Sequence, residues 1–330
     1  AGGDPVLEFG LRRAHGTEAG LYGARAAIIG GCSGSSNVES EYLVDMPSKG
    51  TMSHSFILSY DDEYEAFEKF SEHNPDNLTL LVDTYNTLES GMPNAIKLFT
   101  KLKGENKLPK IYGIRLDSGD LAYLSKECRK MLDKAGLQEA VISASSDLDE
   151  YLVRDLKLQG AKISLWGIGT KLITAYDQPA LGAVYKMSQI EHNGQVMNKL
   201  KISNDPGKIT NPAYKKVARI YDKASNKALA DLIMLDDEII DETQPLTIFH
   251  PVYTWKKTVL TNYRLKDLLV PIIIDGKLVY DKPCVKEIQS HLKDELNTMW
   301  TAITRFTNPH EYHVDLSQKL WTLKNDLLNA

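Results

Sequence analysis

LTLLVDTYNTLESGMPNAIKLFTKLKGENKLPKIYGIRL, residues 78–116, contains two short apolar runs on either side of a helical segment. The runs at 78–82 and 111–116 have the length and composition of buried strands. Between them, Pro93 stands at a first-turn position and Gly104 at a stop position, which predicts one helix. A strand, a helix and a second strand in this order predict a parallel βαβ unit with a right-handed crossover.

The alternation of strands and helices continues on both sides of this unit. Gly136 and Gly160 follow two further helical segments, and glycine is a natural C-cap. The additional predicted elements, in chain order, are a strand at 7–9, helices at 18–29 and 61–72, a helix at 121–135, a strand at 140–144, a helix at 147–159 and a strand at 162–166. This alternation predicts an α/β fold, in which the chain up to about Gly182 is part of a barrel.

The sequence pattern changes after Gly182. Apolar and polar residues alternate on both sides of Asn193-Gly194, which is typical of a β-hairpin. The predicted elements that follow are strands at 183–190, 195–202, 217–221 and 228–235, a hairpin around Asp275-Gly276, and helices at 285–306 and 316–328. We predict three parts: a partial α/β barrel with the active-site loops (1–182), a β-rich section completing the barrel and a small domain (183–254), and a C-terminal hairpin with helices (255–330).

The composition excludes several classes of protein. The chain has 330 residues, of which 42% are hydrophobic, and 39 basic against 44 acidic residues give a formal charge of −5. A chain with this much apolar material folds rather than staying disordered. The negative charge and the scattered lysines and arginines argue against a nucleic-acid partner. No apolar run reaches the roughly 18 residues of a membrane span, so we expect no membrane partner.

The N-terminal residues and the cysteines bear on location. Residues 1–5 have neither a basic region nor an apolar core, so they do not have the pattern of a signal peptide. Cys32, Cys128 and Cys284 are odd in number and far apart, which is typical of free thiols in a reducing compartment. We therefore expect a cytoplasmic protein. The first residue is not Met, so we expect a processed chain or a fragment.

The segments after the predicted strands indicate where the active site lies. In a parallel α/β barrel, ligands bind at the carboxyl ends of the strands. Small, hydroxyl and carboxylate residues dominate the segments Asp83 to Asn86, Asp117 to Asp120, Ser145 to Asp147 and Gly167 to Thr170. We therefore predict that these loops form the site.

Gly167, Gly169 and Thr170 follow the last strand of this series. Small residues allow backbone N–H groups to approach an anion closely, and Thr170 can add a hydroxyl. The three residues fit a phosphate site, in the position where barrels often bind one. An ordinary glycine-rich turn has the same pattern, so the motif alone leaves both interpretations open.

Asp117 and Asp120 flank a tight Ser-Gly turn. Two carboxylates there can bind ribose hydroxyls or a Mg²⁺ ion carried by a pyrophosphate, or stabilise a developing positive charge on ribose. The alternative is a turn followed by a helix whose N-cap is Asp120. Arg115 ends the preceding strand and would be costly to leave unpaired, so either Asp117 or an anionic ligand should pair with it.

Two upstream segments add cationic and nucleophilic groups. Arg12 and Arg13 follow the strand at 7–9, and arginine suits bidentate contact with an anion. His54 lies among hydroxyl residues in the segment KGTMSHS (49–55). A neutral imidazole is a competent nucleophile near pH 7, although a purely structural histidine is the alternative. The cysteine and histidine spacings predict no structural metal site.

Taken in order, these motifs resemble those of the nicotinate phosphoribosyltransferase family, which belongs to the type II phosphoribosyltransferases. The matching segments are EFGLRRAHGTEAGLYGARAAIIGGCSGSSNV (8–38), KGTMSHS (49–55), LLVDTYNTLESGMPNAIK (80–97), GIRLDSGDLAYLSK (113–126), SSDLDEYLVRDLKLQGAKISLWGIGTKLIT (145–174), YRLKDLL (263–269) and NPHEYHVDLSQKLW (308–321). The resemblance covers nearly all of the chain. Family members carry a further N-terminal portion, which we expect this chain to lack.

The resemblance implies a fold and a reaction. The fold would be an irregular TIM-like α/β barrel with a separate β-rich domain and a C-terminal helical tail. The enzyme would join nicotinate to 5-phosphoribosyl 1-pyrophosphate in NAD biosynthesis, giving nicotinate mononucleotide and pyrophosphate. ATP would be a co-substrate whose hydrolysis is coupled to the reaction, as in a ligase. Mg²⁺ would be the cofactor, and the protein would be a homodimer.

The resemblance also implies roles for individual residues. His54 matches the histidine that ATP phosphorylates, Thr51 and Arg115 match positions that contact nicotinate, and Thr170 matches one that contacts the phosphoribosyl donor. By weaker analogy, the same donor site would be lined by Arg12, Asp117, Gly167 and Gly169. The family places a tyrosine of the N-terminal portion against the nicotinate ring, so we expect this chain alone to be impaired or inactive.

Ser36 bears on the choice of pyridine. A relative with the same fold uses nicotinamide and recognises its amide with an aspartate, and Ser36 occupies the corresponding place here. A carboxylate there would repel nicotinate, whereas a hydroxyl does not, so Ser36 favours nicotinate. The alternatives are a nicotinamide or quinolinate phosphoribosyltransferase, or an inactive fragment of such an enzyme.

Overall fold

A computed structural model describes residues 1–46, 48–253 and 255–330 of the chain. Its contacts divide the chain into two compact units, one of residues 1–181 with 283–289 and the other of residues 182–282 with 290–330. The three-part division at 182/183 and 254/255 stays a prediction, and residue 254 lies outside the described residues.

The first unit contains a six-stranded parallel sheet, which confirms the predicted α/β class. The strands are β1 (Val6–Glu8), β2 (Gly34–Ser35), β3 (Asn77–Leu81), β4 (Ile111–Leu116), β5 (Val141–Ala144) and β6 (Leu165–Ile168). Their order across the sheet is β2-β1-β6-β5-β4-β3. Because all six are parallel, their carboxyl ends lie along the same edge.

Helices connect these strands and begin where the sequence supplies a cap. Asp62, Asp120 and Asp149 each accept a hydrogen bond from a backbone N–H in the first turn of the helix that follows. The helices are α1 (Thr17–Ile29), α2 (Val38–Val44), α3 (His54–Leu58), α4 (Glu63–His73), α5 (Met92–Gly104), α6 (Leu121–Lys134), α7 (Glu150–Leu158) and α8 (Thr170–Ile173). A 3₁₀ turn spans Leu11–Arg13, and a π-helical turn spans Thr87–Gly91.

Apolar side chains of the strands form the core of this unit. Leu80, Ile114 and Trp166 have no exposed surface, which explains why the strand segments read as continuous apolar runs. The predicted strand at 162–166 begins three residues too early and ends two residues too early, since β6 spans Leu165–Ile168. It extends past Trp166 because Gly167 and Ile168 pair with β1. A Cβ at Gly167 would lie 2.7 Å from the Phe9 ring, so this glycine makes room for an aromatic side chain instead of ending the strand.

The second unit is built on a mixed sheet. Its six strands lie in the order β12-β11-β16-β10-β9-β13, and two separate hairpins are β7–β8 and β14–β15. The strands are β7 (Gln189–His192), β8 (Gln195–Asn198), β9 (Lys215–Asp222), β10 (Ala228–Leu235), β11 (Leu246–Phe249), β12 (Lys257–Leu260), β13 (Tyr263–Asp267), β14 (Ile273–Ile274), β15 (Lys277–Leu278) and β16 (Val314–Leu316). This sheet confirms the separate β-rich domain of the predicted fold class.

The C-terminal helices begin and end differently from the prediction. They are α9 (Val285–Thr298), α10 (Thr301–Thr304) and α11 (Gln318–Asn329). Leu316 does not belong to the last helix, because it is fully buried in β16 between β10 and β11. Ser317 then caps α11 by accepting a hydrogen bond from the Leu320 N–H. None of the helices in the described part of the chain has both the length and the apolar composition to cross a bilayer.

Candidate active site

A cleft of about 520 Å³ opens in the first unit at the carboxyl ends of the parallel strands. It brings together nine of the ten predicted site residues: Arg12, Ser36, Thr51, His54, Arg115, Asp117, Gly167, Gly169 and Thr170. These residues lie at the ends of four strands (β1, β2, β4 and β6) or in the loops that follow them, and in the segment that leads into α3. The sheet edge therefore collects them, as parallel α/β topology predicts.

Asp120 is the predicted residue that does not line the cleft. Its Oδ1 accepts a hydrogen bond of 2.9 Å from the Tyr123 N–H and caps α6. The helix-cap alternative is therefore the structural role of Asp120. Its catalytic role stays a prediction.

Arg115 is the centre of a hydrogen-bond network at the end of β4. Its Nε donates to Ser145 Oγ at 2.8 Å, and its Nη1 donates to Thr51 Oγ1 at 2.5 Å and to the Met52 carbonyl at 3.2 Å. Its Nη2 donates to Asp117 Oδ1 at 3.2 Å. The side chain is only 15% exposed. Of the two predicted alternatives for Arg115, the structure therefore shows the pair with Asp117, and one Nη2 hydrogen remains for a ligand.

Asp83 is a site residue that sequence reasoning left without a role. Its side chain, 2% exposed, follows β3, and its Oδ1 lies 3.1 Å from His54 Nε2. Its Oδ2 accepts hydrogen bonds from the Asp117 N–H at 2.8 Å and from Ser118 Oγ at 2.6 Å. One carboxylate thus holds the imidazole and the loop after β4. Its position directly after a buried strand was the signal that could have identified it.

His54 is the first residue of α3, and its side chain is 38% exposed. Because a carboxylate is only an acceptor, Nε2 carries the proton that is donated to Asp83. In the neutral ring, Nδ1 then keeps its lone pair. The hydroxyls of Ser53 and Ser55 lie 2.8 Å from each other. Ser53 lines the cleft with His54, whereas Lys49 and Ser55 are not among the lining residues.

The segment from Gly167 to Thr170 packs closely on Phe9. A Cβ at Gly169 would lie 3.0 Å from the Phe9 carbonyl oxygen, so the backbones approach each other here. Lys171 donates a hydrogen bond to Asp149 and ties this segment to α7. Burial raises the pKa of the Asp149 carboxyl, but the Lys171 ammonium and the backbone N–H groups at the start of α7 together hold that pKa below its usual value.

Phe9 lines the cleft and is a second residue whose role the sequence did not indicate. The Arg115 guanidinium lies 5.8 Å from the centroid of its ring. The ring also lies where a side chain at Gly167 would be. An aromatic face in a polar cleft is suited to a flat heteroaromatic ring.

Glu8 supports the loops that follow β1 and β2. It has no exposed surface, and its carboxylate accepts hydrogen bonds from the Gly10 N–H and, at 2.5 Å, from Ser35 Oγ. The turn of Arg12 and the loop of Ser36 are thereby fixed to each other. Burial, together with the charge of Glu8, raises the pKa of the Cys32 thiol to about 11.

Ser146 has an unusual backbone conformation in the loop after β5. Its φ of +108° lies in the region that favours glycine, although serine stands there. It lines the cleft beside Asp147. Strained residues of this kind concentrate at functional sites.

In the described ranges 1–46, 48–253 and 255–330, no group of three or more His, Cys, Asp or Glu side chains is arranged to hold a metal ion. Asp117 already accepts from Arg115 and Ser145.

A second cleft of about 580 Å³ lies at the opposite, amino ends of β3 and β4. Its carboxylates are already paired, with Lys101 donating to Glu68 at 2.7 Å and Lys107 donating to Glu105 at 2.8 Å. The Lys101 ammonium holds the pKa of the Glu68 carboxyl below its usual value. This cleft lacks histidine and glycine in its lining, so it does not have the chemistry of the first one.

Comparison with known proteins identifies relatives along the whole chain. The model of the Nicotinate phosphoribosyltransferase (NAPRTase) family matches residues 5–229, and that of the Nicotinate phosphoribosyltransferase C-terminal domain matches residues 214–324. A nicotinate phosphoribosyltransferase of Bacillus subtilis (strain 168) is 49% identical over 323 residues, which are 98% of this chain and 65% of that protein. One of Dictyostelium discoideum is 31% identical over 379 residues, 98% of this chain and 63% of that protein.

A solved structure agrees with the fold. The crystal structure of human nicotinic acid phosphoribosyltransferase superposes with a TM-score of 0.79 at 24% sequence identity, covering 98% of this chain and 70% of that one. At this identity the likeness establishes the fold. The chain spans about two thirds of the length of the curated relatives described above.

Proposed function

The chain belongs to the nicotinate phosphoribosyltransferase family, and from that premise we propose that its cleft joins nicotinate to 5-phosphoribosyl 1-pyrophosphate. The products are nicotinate mononucleotide and pyrophosphate, in the synthesis of NAD. The observation that carries this proposal is the meeting, in one cleft, of a buried arginine, a glycine-rich loop and a histidine held by a carboxylate.

Nicotinate binds at the Arg115 side of the cleft. The remaining Nη2 hydrogen of Arg115 can donate to the pyridine carboxylate, while Phe9 offers the face of its ring. Asp117 already neutralises part of the guanidinium charge, so the cleft selects a single carboxylate and not a dianion. Ser36 adds a hydroxyl in place of an acid and does not repel the carboxylate.

The phosphoribosyl donor binds along the loops after β1 and β6. Gly169 allows a close approach of the backbone, and Thr170 supplies a hydroxyl. Arg12 and Arg13 add guanidinium groups at the edge of the same cleft. Mg²⁺ enters with the pyrophosphate as part of the substrate.

The reaction displaces pyrophosphate from the anomeric carbon of ribose by the pyridine nitrogen. The C–O bond to pyrophosphate breaks as the C–N bond forms, and positive charge develops on the sugar ring. Positioning of the two substrates and stabilisation of this charge therefore provide most of the catalysis. The Asp117 carboxylate, fixed by Arg115, lies in the cleft where it can stabilise the ribose cation.

His54 couples the reaction to ATP. The γ-phosphoryl group passes from ATP to His54 Nδ1, ADP leaves, and water later takes the phosphoryl group as inorganic phosphate. Asp83 supports this step because it holds the Nε2 proton and leaves Nδ1 free. The homodimer and the cytoplasmic location predicted from the resemblance and the composition belong to the same proposal.

A comparison of the rates with three pyridine substrates tests the proposed function. The chain is incubated with phosphoribosyl pyrophosphate, Mg²⁺, ATP and one of nicotinate, nicotinamide or quinolinate, and the mononucleotide is measured by chromatography. We expect nicotinate to be used at least about tenfold faster than either alternative, a difference of about 1.4 kcal/mol. A preference for nicotinamide or quinolinate would contradict the proposal.

A further inference from the structure

Glu63 is a buried carboxylate outside the cleft. It is the first residue of α4 and only 5% exposed. No lysine, arginine or histidine pairs with it in the part of the chain that the structure describes. The partial positive charge at the start of the helix offsets part of its charge. A buried, unpaired carboxylate calls for a structural explanation.

The hydrogen bonds of Glu63 explain why this carboxylate is buried. Its Oε2 accepts hydrogen bonds from Ser90 Oγ at 2.5 Å and from Asn94 Nδ2 at 3.0 Å. Its Oε1 is buried without a partner among the described residues. Ser90 belongs to the π-helical turn, and Asn94 to the first turn of α5. Glu63 therefore fastens this turn to the start of α4.

The π-helical turn presses directly on the end of β3. A Cβ at Gly91 would lie 1.9 Å from the Val82 carbonyl oxygen, so the two backbones are in contact. At the other end of the turn, Asn86 Oδ1 accepts from the Leu88 and Glu89 N–H groups. π-Helical turns are rare and are frequently found at functional sites. The turn therefore fixes the backbone immediately before Asp83.

We propose that Glu63 is a positioning residue for His54, acting through the π-helical turn and Asp83. The path runs from Glu63 to Ser90, from Gly91 to Val82, and from Asp83 to the imidazole. When Glu63 holds the turn, Asp83 keeps His54 in the tautomer with the proton on Nε2. The consequence for phosphoryl transfer rests on the proposed function, whereas the effect on the tautomer does not.

Four variants test this path. Glu63→Ala removes both acceptors, and Ser90→Ala removes one donor with little change in volume. Glu63→Gln is the conservative variant, because its carbonyl oxygen can take the place of Oε2 and accept from both Ser90 and Asn94. Glu65→Gln is the matched control, since Glu65 is exposed on the same helix.

The first measurement is the ¹⁵N NMR spectrum of the histidine rings, with the His54 signals assigned from His54→Asn. We expect the Nε2–H tautomer of His54 to dominate in the parent, in Glu63→Gln and in Glu65→Gln. In Glu63→Ala and Ser90→Ala we expect a mixture of the Nε2–H and Nδ1–H tautomers of His54. The second measurement is labelling from γ-³²P-ATP, which should slow about tenfold or more in Glu63→Ala.

The ratio of the two His54 tautomers decides whether Glu63 is a positioning residue. If Glu63→Ala folds and keeps the tautomer ratio of the parent, the positioning role of Glu63 is wrong. If Glu63→Ala does not fold, the same result in Ser90→Ala contradicts that role. A changed ratio in the variants together with no label in the parent supports the positioning role but contradicts the phosphohistidine.

Discussion

The Asp83 carboxylate accepts the Nε2 hydrogen of His54 at 3.1 Å, although the two residues are 29 positions apart in the sequence. The same carboxylate accepts the Asp117 N–H and the Ser118 hydroxyl through its other oxygen. The segment that carries His54 and the loop that carries Asp117 therefore share one anchor. A change at Asp83 should affect both substrates.

Asp83→Asn tests this shared anchor. An asparagine has only one acceptor oxygen, so either His54 or the Asp117 loop loses its partner. We expect acid-labile ³²P labelling to fall by about tenfold to a hundredfold, and His54→Asn to abolish it. The measurement is label uptake from γ-³²P-ATP after correction for the folded fraction. Label at the parental level in His54→Asn would show that His54 does not carry the phosphoryl group.

Gly91→Ala tests the contact between the π-helical turn and β3. The added Cβ would overlap a backbone oxygen at 1.9 Å, and backbone cannot move aside as a side chain can. We expect a loss of at least about 3 kcal/mol in the free energy of unfolding, measured with urea. Gly104→Ala, at the end of the helix that follows, is the control, because nothing lies within 4 Å of the place that its new methyl group would occupy. It should be neutral or stabilising by up to about 1 kcal/mol.

Asp315→Asn tests a buried acid in the second unit. Asp315 is 4% exposed, its Oδ1 has no partner among the described residues, and burial raises the pKa of its carboxyl above the usual 3.8. The folded state therefore favours the protonated carboxyl. The stability that this preference contributes is fully present below pH 3.8 and is lost as the pH rises through the folded-state pKa.

The variant keeps the shape of the side chain and removes the charge. We expect Asp315→Asn to be more stable than the parent at pH 7 by about 1 kcal/mol, with the difference shrinking toward pH 4. The measurement is urea unfolding from pH 4 to 7, with the exposed Asp237→Asn as control. A difference that does not change with pH would contradict the assigned burial effect.

Local pattern was enough to predict most of the parallel sheet. Strands such as Ile111–Leu116 are continuous apolar runs because both faces are buried, and helix caps such as Asp120 follow them in the chain. The strand Val314–Leu316 was missed because three residues carry no periodicity, and its partners lie far away in sequence. Pairing across such distances has no signature in a single sequence.

The site was predictable to the extent that topology determines it. The rule that loops meet at the carboxyl ends of parallel strands placed Asp117 and Thr170 in the cleft, whereas His54 came from its own segment and from the family resemblance. It did not give the contacts among them. Two features of the site depend on side-chain positions that only the folded chain defines. One is the pairing of Arg115 with Asp117, and the other is the hydrogen bond between Asp83 and His54.

Binding of the reaction product tests the central claim most directly, because it does not require turnover. Calorimetry compares nicotinate mononucleotide with nicotinamide mononucleotide on the parent, Arg115→Ala and Arg115→Lys. We predict that the parent binds the nicotinate form at least about tenfold more tightly. Arg115→Ala should lose on the order of 2–4 kcal/mol of that affinity, and Arg115→Lys less. Equal affinity of the parent for the two nucleotides, or parental affinity for nicotinate mononucleotide in Arg115→Ala, would contradict the account.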